Sequence, residues 1–414
     1  MAGVTTAPAT ATTETESARS ACNQAGPVRI ASLDAFRGLV MFLLLAEVMR
    51  LWTVKAAYPG SLFWSLIAFN TAHVAWQGCS LHDLIQPAFS FLAGASLPFS
   101  IANRQAKGER FGRMLAHAAW RSAVLVFLGI FLRSLNARQT YWTFEDTLTQ
   151  IGLGYMFLFL LAFASLRVQI GALGVILAGY WAAFALYPLP APGFDYTQVG
   201  VLANWPHLYT GFLAHWNKNS NLAWAFDVWF LNLFPRQAVF RFNEGGWSTL
   251  SFIPTLGTML LGVLTARWLR TSRPVFEKLR GLVVGGVALA LLGLICQWAG
   301  ICPIVKRVWT PAYTLYSGGL VVLMLAGFYG LMEWKGWNRW AFPLIVIGAN
   351  SIAIYVMSWT LEKFFLSALL RHFGPVPFAV LGAPFEPVLR GFAVILVFWL
   401  ILFWMHRRKI FLRI

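Results

Sequence analysis

Charge is what this chain of 414 residues has least of. Asp, Glu, Lys and Arg together make up 11%, against roughly 25% in soluble domains. That is too little to cover the surface of a water-soluble globule. Acids are scarcest, with 15 against 32 Lys and Arg, and the formal net charge is +17. Cysteine numbers only four, with no Cys-x-x-C, so a disulfide scaffold is excluded and no metal site is expected. Glycine follows no period, which excludes a collagen-like chain. The N-terminus lacks the apolar core of a secretory signal. Residues 1–28, rich in Thr, Ala and Ser, are expected to be disordered on the cytoplasmic side.

What is abundant is apolar mass: 58% hydrophobic residues, with 35 Phe and 20 Trp. A membrane crossing needs ~20 mostly apolar residues. Ten segments meet that requirement: 36–54, 84–102, 114–134, 147–166, 169–188, 248–268, 281–299, 313–333, 341–360 and 389–406. In lipid each backbone polar group must be paired within its own segment, and no alternating barrel pattern is present. The expected fold is therefore all-α, a polytopic membrane protein of about ten transmembrane helices, with residues 29–414 forming one membrane domain. Basic clusters such as Arg104, Lys107, Arg110 and Arg113, or Arg407, Arg408 and Lys409, fall between spans on one side. By the positive-inside rule this predicts N-in and C-in. The basic excess then faces membrane lipids, and no nucleic-acid partner is expected. The stretch 361–384 is broken by Gly374, Pro375 and Pro377 and reads as interfacial or re-entrant. The outer loop 189–247, with Trp205, Trp216 and Trp224, reads as an aromatic belt or as a cap over a site. Cys79, Cys296 and Cys302 fall on the outer side, where a disulfide of unspecified pairing is open to them.

Ionisable groups at membrane depth are costly and point to function. Asp34 and Arg37 share one helical face at the inner mouth of the first span, either as a capped start with an ion pair or as a basic mouth for an anionic ligand. Glu47 lies about three turns deeper, where a lone carboxylate needs a partner or a proton. Residues 71–87 pack His73, His82, Asp83, Gln77, Gln86 and Trp76 at the outer boundary. His73 has the chemistry of a general base or an acyl carrier, and Asp83 that of an orienting or capping acid. Asn350, in the ninth span, needs a hydrogen-bond partner in lipid and serves either packing or a ligand.

These stretches, in order, resemble the heparan-α-glucosaminide N-acetyltransferase family. The matching pieces are SLDAFRGL, HVAWQG followed by HDLIQPAFSFLAGAS, LTQIGLGY, FNEGGWSTL, VKRVWTPAYTLYSGGL and IGANSIAIY. The resemblance implies an acetyltransferase that takes acetyl from cytoplasmic acetyl-CoA, as co-substrate, to an amino-sugar or glycan acceptor across the membrane. Its reactive histidine falls in H-x-x-W-x-G, here His73 with Trp76 and Gly78. Glu47-Val48 stand where the family carries an asparagine, and Leu148-Thr149-Gln150-Ile151-Gly152 lacks the arginine of L-Q-R-I-G.

The resemblance assigns the reactive role to His73; from their own chemistry, Glu47 or Asp83 is expected to orient its ring and complete the catalytic set. Donor binding is expected at Asp34, Arg37, Arg267, Arg270 and Asn350, with Asn350 or backbone donors near Pro87 polarising the thioester carbonyl. Acceptor binding goes to Trp76, Gln77, Asn243 and Glu244. A second copy of the chain, as a homodimer, is an open partner. The short polar N-terminus, in place of a luminal domain, makes a bacterial inner membrane the expected location. The alternative is a transporter of a sugar or lipid-linked precursor, which also fits many helices with intramembrane polar groups.

Overall fold

The computed structural model describes residues 30–412; the segment 1–28 and Cys22 lie outside them. Seven helices are long and apolar enough to cross a membrane, or eight if one bent pair counts as a single span. Among the described residues the only β-pairing is an isolated bridge between Gln77 and Val305. The chain is an all-α polytopic membrane protein. Its principal helices are α1 (Ala31–Ala46), α2 (Ile85–Ala106), α3 (Phe111–Ser134), α4 (Thr147–Ala162), α5 (Leu166–Ala185) and α6 (Phe252–Leu269). They continue as α7 (Val275–Trp298), α8 (Pro311–Tyr329), α9 (Phe342–Ala349), α10 (Ser351–Thr360), α11 (Glu362–Phe373) and α12 (Glu386–Arg407).

Ten full spans are not what forms, and the reasons are local. α1 stops after 16 residues, because the chain tightens into short 3₁₀ turns and Arg50 turns left-handed (φ 50°). α4 is also 16 residues long; Ser165 caps α5 immediately beyond it, accepting from the Val168 N–H at 3.4 Å. The ninth expected span bends by 67° between α9 and α10, with Asn350 at the break. Each falls short of the ~20 straight residues a crossing asks for. The stretch 361–384 folds as α11 followed by short turns from Gly374, whose φ is 69°.

Small residues set the closest helix contacts. A Cβ on Gly94 of α2 would lie 1.8 Å from Met259 O of α6, and one on Gly262 2.0 Å from Phe91 O. α1 and α9 meet in the same way, since a Cβ on Gly348 would lie 2.3 Å from Asp34 O. Phe36, Met41, Leu45, Phe91 and Leu92 fill the seam between α1 and α2 and are fully buried. Outward faces carry exposed Phe127, Phe131, Val175, Val284 and Leu292, an apolar exterior that water would not tolerate over so large an area. At one end of the bundle Arg37, Arg267 and Arg270 contact neighbouring helices. The long connections, including 189–247, cover the other.

Candidate functional site

The segment before α2 folds around one carboxylate. The Asp83 N–H donates to Ser80 Oγ at 3.2 Å, while the Ser80 N–H donates back to Asp83 Oδ2 at 3.1 Å. This is the reciprocal arrangement of a capping box, with Asp in the acid position. The Val74 N–H also donates to Oδ2, at 3.2 Å, and Ser80 Oγ lies 3.0 Å from it. With Oδ2 saturated, Oδ1 faces His73, whose Nδ1 is 2.7 Å away. From α8, the Tyr313 hydroxyl donates to the Asp83 carbonyl at 2.7 Å. Asp83 is 1% exposed, whereas the His73 side chain is 38% exposed. An Nδ1–H donated to Asp83 leaves the Nε2 lone pair on the open side of the ring.

A second segment, 303–310, docks onto the first. The Gly78 N–H donates to Ile304 O at 2.9 Å, beside the Gln77–Val305 bridge. Thr310 holds this segment, accepting from the Val305 N–H at 3.1 Å and from the Tyr313 N–H at 3.2 Å. Lys306 Nζ thereby sits 3.4 Å from Asp83 Oδ1 and 3.4 Å from His73 Nδ1, with its side chain 3% exposed. Arg307 donates to Gly245 O at 2.8 Å and to Val74 O at 3.2 Å, and its guanidinium covers the Trp247 ring. That ring meets the His73 ring edge-on at 5.4 Å. Burial holds the His73 imidazole below its ordinary value; the Asp83 bond opposes this, and Lys306 and Arg307 reinforce it. Burial lowers Lys306 as well, while Asp83 favours its charged form.

The ring opens onto a cavity of about 620 Å³, lined among others by Glu47, His82, Gln86, Trp247, Lys306 and Glu362. Its far wall carries Arg133, which pairs with Asp146 at 3.2 Å, and Tyr355, whose hydroxyl reaches both Asp146 oxygens.

Of the residues singled out from sequence, His73 and Glu47 line this cavity, and Asp83 is buried behind the His73 ring. Asp83 alone bonds the ring; Glu47 faces the same space. Arg37 and Arg270 converge on α2 at the other end: Arg37 bonds Asp34 at 3.1 Å and Ser96 at 2.5 Å, and Arg270 bonds Pro98 O at 3.2 Å. Arg267 is tied to Ala164 O and Gln169 Oε1, away from that pair.

Five of the residues singled out are buried, bonded within the protein or off the cavity. Trp76 is fully buried, packed where a Cβ on Gly246 would touch its ring at 2.7 Å, so it supports the site from beneath and offers no face to an acceptor. The Gln77 side chain is occupied by the Tyr209 hydroxyl at 3.0 Å. Asn243 closes its own turn, accepting from the Gly245 and Trp247 N–H groups, and neither it nor Glu244 lines the large cavity. Asn350 is fully buried and pins the C-terminal segment through Ile410 O and the Leu412 N–H, far from any carbonyl beside His73. The thiols of Cys79, Cys296 and Cys302 are free, and burial pushes that of Cys79 up to about 12.

Lys306 and Arg307 received no role from sequence. Their signal was present: two adjacent cations in a connection expected on the outer side run against the positive-inside pattern. Among the described residues no group of three or more His, Cys, Asp and Glu is placed to hold a metal ion.

No family model matches the chain. It is 24% identical over 379 residues to heparan-α-glucosaminide N-acetyltransferase of Homo sapiens, covering 82% of this chain and 54% of that protein. To the Mus musculus protein of the same name it is 22% identical over 401 residues, covering 86% and 57%. The chain thus spans a little over half the length of the curated relatives it matches. Across more than four-fifths of its own length, it is a distant relative of the heparan-α-glucosaminide N-acetyltransferases.

Proposed function

We propose that this protein is a transmembrane acetyltransferase that takes acetyl from acetyl-CoA, bound at the cytoplasmic end of the bundle, and gives it to an amino sugar or related glycan amine entering from the opposite side. N-in and C-in, with the cytoplasm at the Arg37 end, is the orientation the basic clusters favour. A bacterial inner membrane remains the proposed location.

The observation that carries the reading is the His73–Asp83 pair at 2.7 Å, opening onto a cavity large enough for a sugar. Asp83 fixes the tautomer and orientation of the ring, and Nε2 acts on the acceptor. The acceptor nitrogen bonds to the acetyl carbon, and the carbon–sulfur bond of the thioester breaks. The amine proton passes to Nε2 and then to the departing thiolate. Glu47 and Glu362, facing the cavity, would draw in the amine as a cation and take its first proton on towards solvent; the second, released as the carbon–nitrogen bond forms, is the one that passes to Nε2 and the thiolate. If Nε2 instead attacks the thioester first, the same lone pair carries the acetyl group. A burst of free CoA without acceptor separates the two routes.

Arg37 and Arg270 are suited to the phosphates of coenzyme A. Ser96, which Arg37 bonds, follows cavity-lining Gln86 by ten residues on α2, or ~15 Å at 1.5 Å per residue. The pantetheine arm would have to cover that distance past the α1–α2 seam, which Phe36, Met41, Leu45, Phe91 and Leu92 fill, so the seam must part to admit it. The proposed outer loop 189–247 caps the acceptor side.

The test is His73→Ala in purified protein. It should bind acetyl-CoA, read as a thermal shift, and release no free thiol with glucosamine. Undiminished thiol release by this variant removes the assignment, and absence of both signals in the unmutated protein favours a carrier.

A further inference from the structure

We propose that Lys306 is a positioning residue for the dyad: its buried ammonium holds the Asp83 carboxylate in place and keeps the His73 ring neutral, so that the Nε2 lone pair stays free for the acceptor. This rests on the reading of His73 as the reacting base.

The geometry limits what the ammonium can do. Nδ1 donates its proton to Asp83 at 2.7 Å, so it has no lone pair left for Lys306, 3.4 Å away. The approach to the ring is therefore a charge contact; the bonded contact is to Asp83 Oδ1, also at 3.4 Å. A second proton on the ring, at Nε2, would spread positive charge onto Nδ1 beside a cation that is 3% exposed and cannot swing away into water. Lys306 cannot swing towards protein either, because Thr310 and the Gln77–Val305 bridge fix its loop.

The other groups facing the ring do not cancel this field. Asp83 is negative but shared among the His73 ring, Lys306, Ser80 and Val74. The His82 ring stands 4.4 Å from that of His73, and Arg307 adds a second positive charge through Val74. Glu47 and the Arg133–Asp146 pair lie across the cavity. Burial already disfavours a charged ring against the pull of the Asp83 bond, and Lys306 adds to that effect. With Lys306 the ring starts neutral, and the proton it takes from the amine passes readily to the leaving thiolate.

The sign follows. Activity and ring reactivity rise as the pH climbs through the His73 value, which lies below the ordinary ~6.5. Removing the ammonium moves that midpoint up. The experiment follows carbethoxylation of His73 by diethyl pyrocarbonate, which attacks only neutral imidazole, against pH and by peptide mass spectrometry, alongside the acid limb of kcat/KM for thiol release. In the unmutated protein the labelling midpoint is expected below ~6.5. Lys306→Met should raise it by about one pH unit and lose several-fold in kcat/KM at pH 6, approaching tenfold only below both midpoints and recovering at alkaline pH. Lys306→Arg should keep the original midpoint. Lys306→Gln serves if the Met variant does not fold. A labelling midpoint at or above the ordinary value in the unmutated protein, or no upward shift on neutralising position 306, overturns the proposal. Labelling needs no turnover, so its outcome stands apart from whether the chain transfers acetyl.

Discussion

Replacing Asp83 by Asn tests the dyad and its counter-charge together, because the carboxylate serves both. Oδ2 accepts from the Val74 N–H at 3.2 Å and the Ser80 N–H at 3.1 Å, and Oδ1 takes the His73 proton at 2.7 Å. An amide cannot satisfy this set. With its nitrogen towards Ser80, donors face donors; with its nitrogen towards His73, the ring must flip tautomer and aim its proton at the acceptor. Loss of a correctly oriented base costs about 10³-fold in kcat. The charge effect is separate. At 3.4 Å and an effective dielectric of about 20, the Asp83–Lys306 attraction is about 5 kcal/mol before desolvation. Stripping one partner from a buried pair costs about 3–5 kcal/mol. Asp83→Asn should therefore melt several degrees lower in detergent and be nearly inactive in thiol release. Adding Lys306→Met, which removes the stranded ammonium, should return most of the melting temperature and none of the rate. A single variant with normal turnover refutes the dyad; a double variant no more stable than the single refutes the counter-charge.

Two further outcomes are expected. Arg37→Ala and Arg270→Ala should each raise KM for acetyl-CoA about tenfold, the loss of roughly one charge-assisted hydrogen bond, with the acid limb of the rate profile unmoved; unchanged KM values in both place the donor elsewhere. Asp227, 2% exposed, has one oxygen without a partner and the other bonded to the Thr249 N–H, and burial pushes its carboxyl up to about 7. A raised carboxyl contributes stability at acid pH that is lost as the pH climbs through about 7, since the unfolded chain gives up the proton first. The melting temperature should fall from pH 5 to pH 8, Asp227→Asn should flatten that fall, and a variant with the same slope as the unmutated protein shows that this carboxyl does not control it.

The sequence made the fold class and the reacting centre legible to different degrees. Low charge and long apolar runs dictate a helical membrane bundle, but run length alone does not reveal where a helix stops. Glu47 lies inside an apolar run by composition, yet the chain there has already left α1, and the turn at Arg50 follows. The Gly348–Ser351 stretch signals close packing, and Gly348 does pack against Asp34 O; the 67° bend at Asn350 coincides with bonds from that side chain to the C-terminal segment, a partner some sixty residues away. His73 and Asp83 were legible together because their ten-residue separation is bridged by a local capping box. Lys306 was not, because what brings it to His73 is a tertiary docking of two loops. Trp76 misled for a related reason: an indole beside a reactive histidine looks like a sugar platform, whereas here it is the floor on which the loop rests.

That contrast bears on how the site stays assembled. Asp83 is fixed by its own neighbours and by Tyr313 of α8, so half of the dyad belongs to the rigid bundle. The His73 ring, Trp247 and the two cations come from three connecting segments tied by Arg307 to Gly245 and Val74, by Gly78 to Ile304 and by the Gln77–Val305 bridge, over a buried cluster of Trp76, Ile304, Val305 and Trp309. The other half therefore depends on how the connecting segments pack on one another, and a substitution that opens this cluster withdraws Lys306 and Arg307 from His73 at once. If the acceptor enters from the loop side, as proposed, the segments that admit it are the same ones that place the charges around His73.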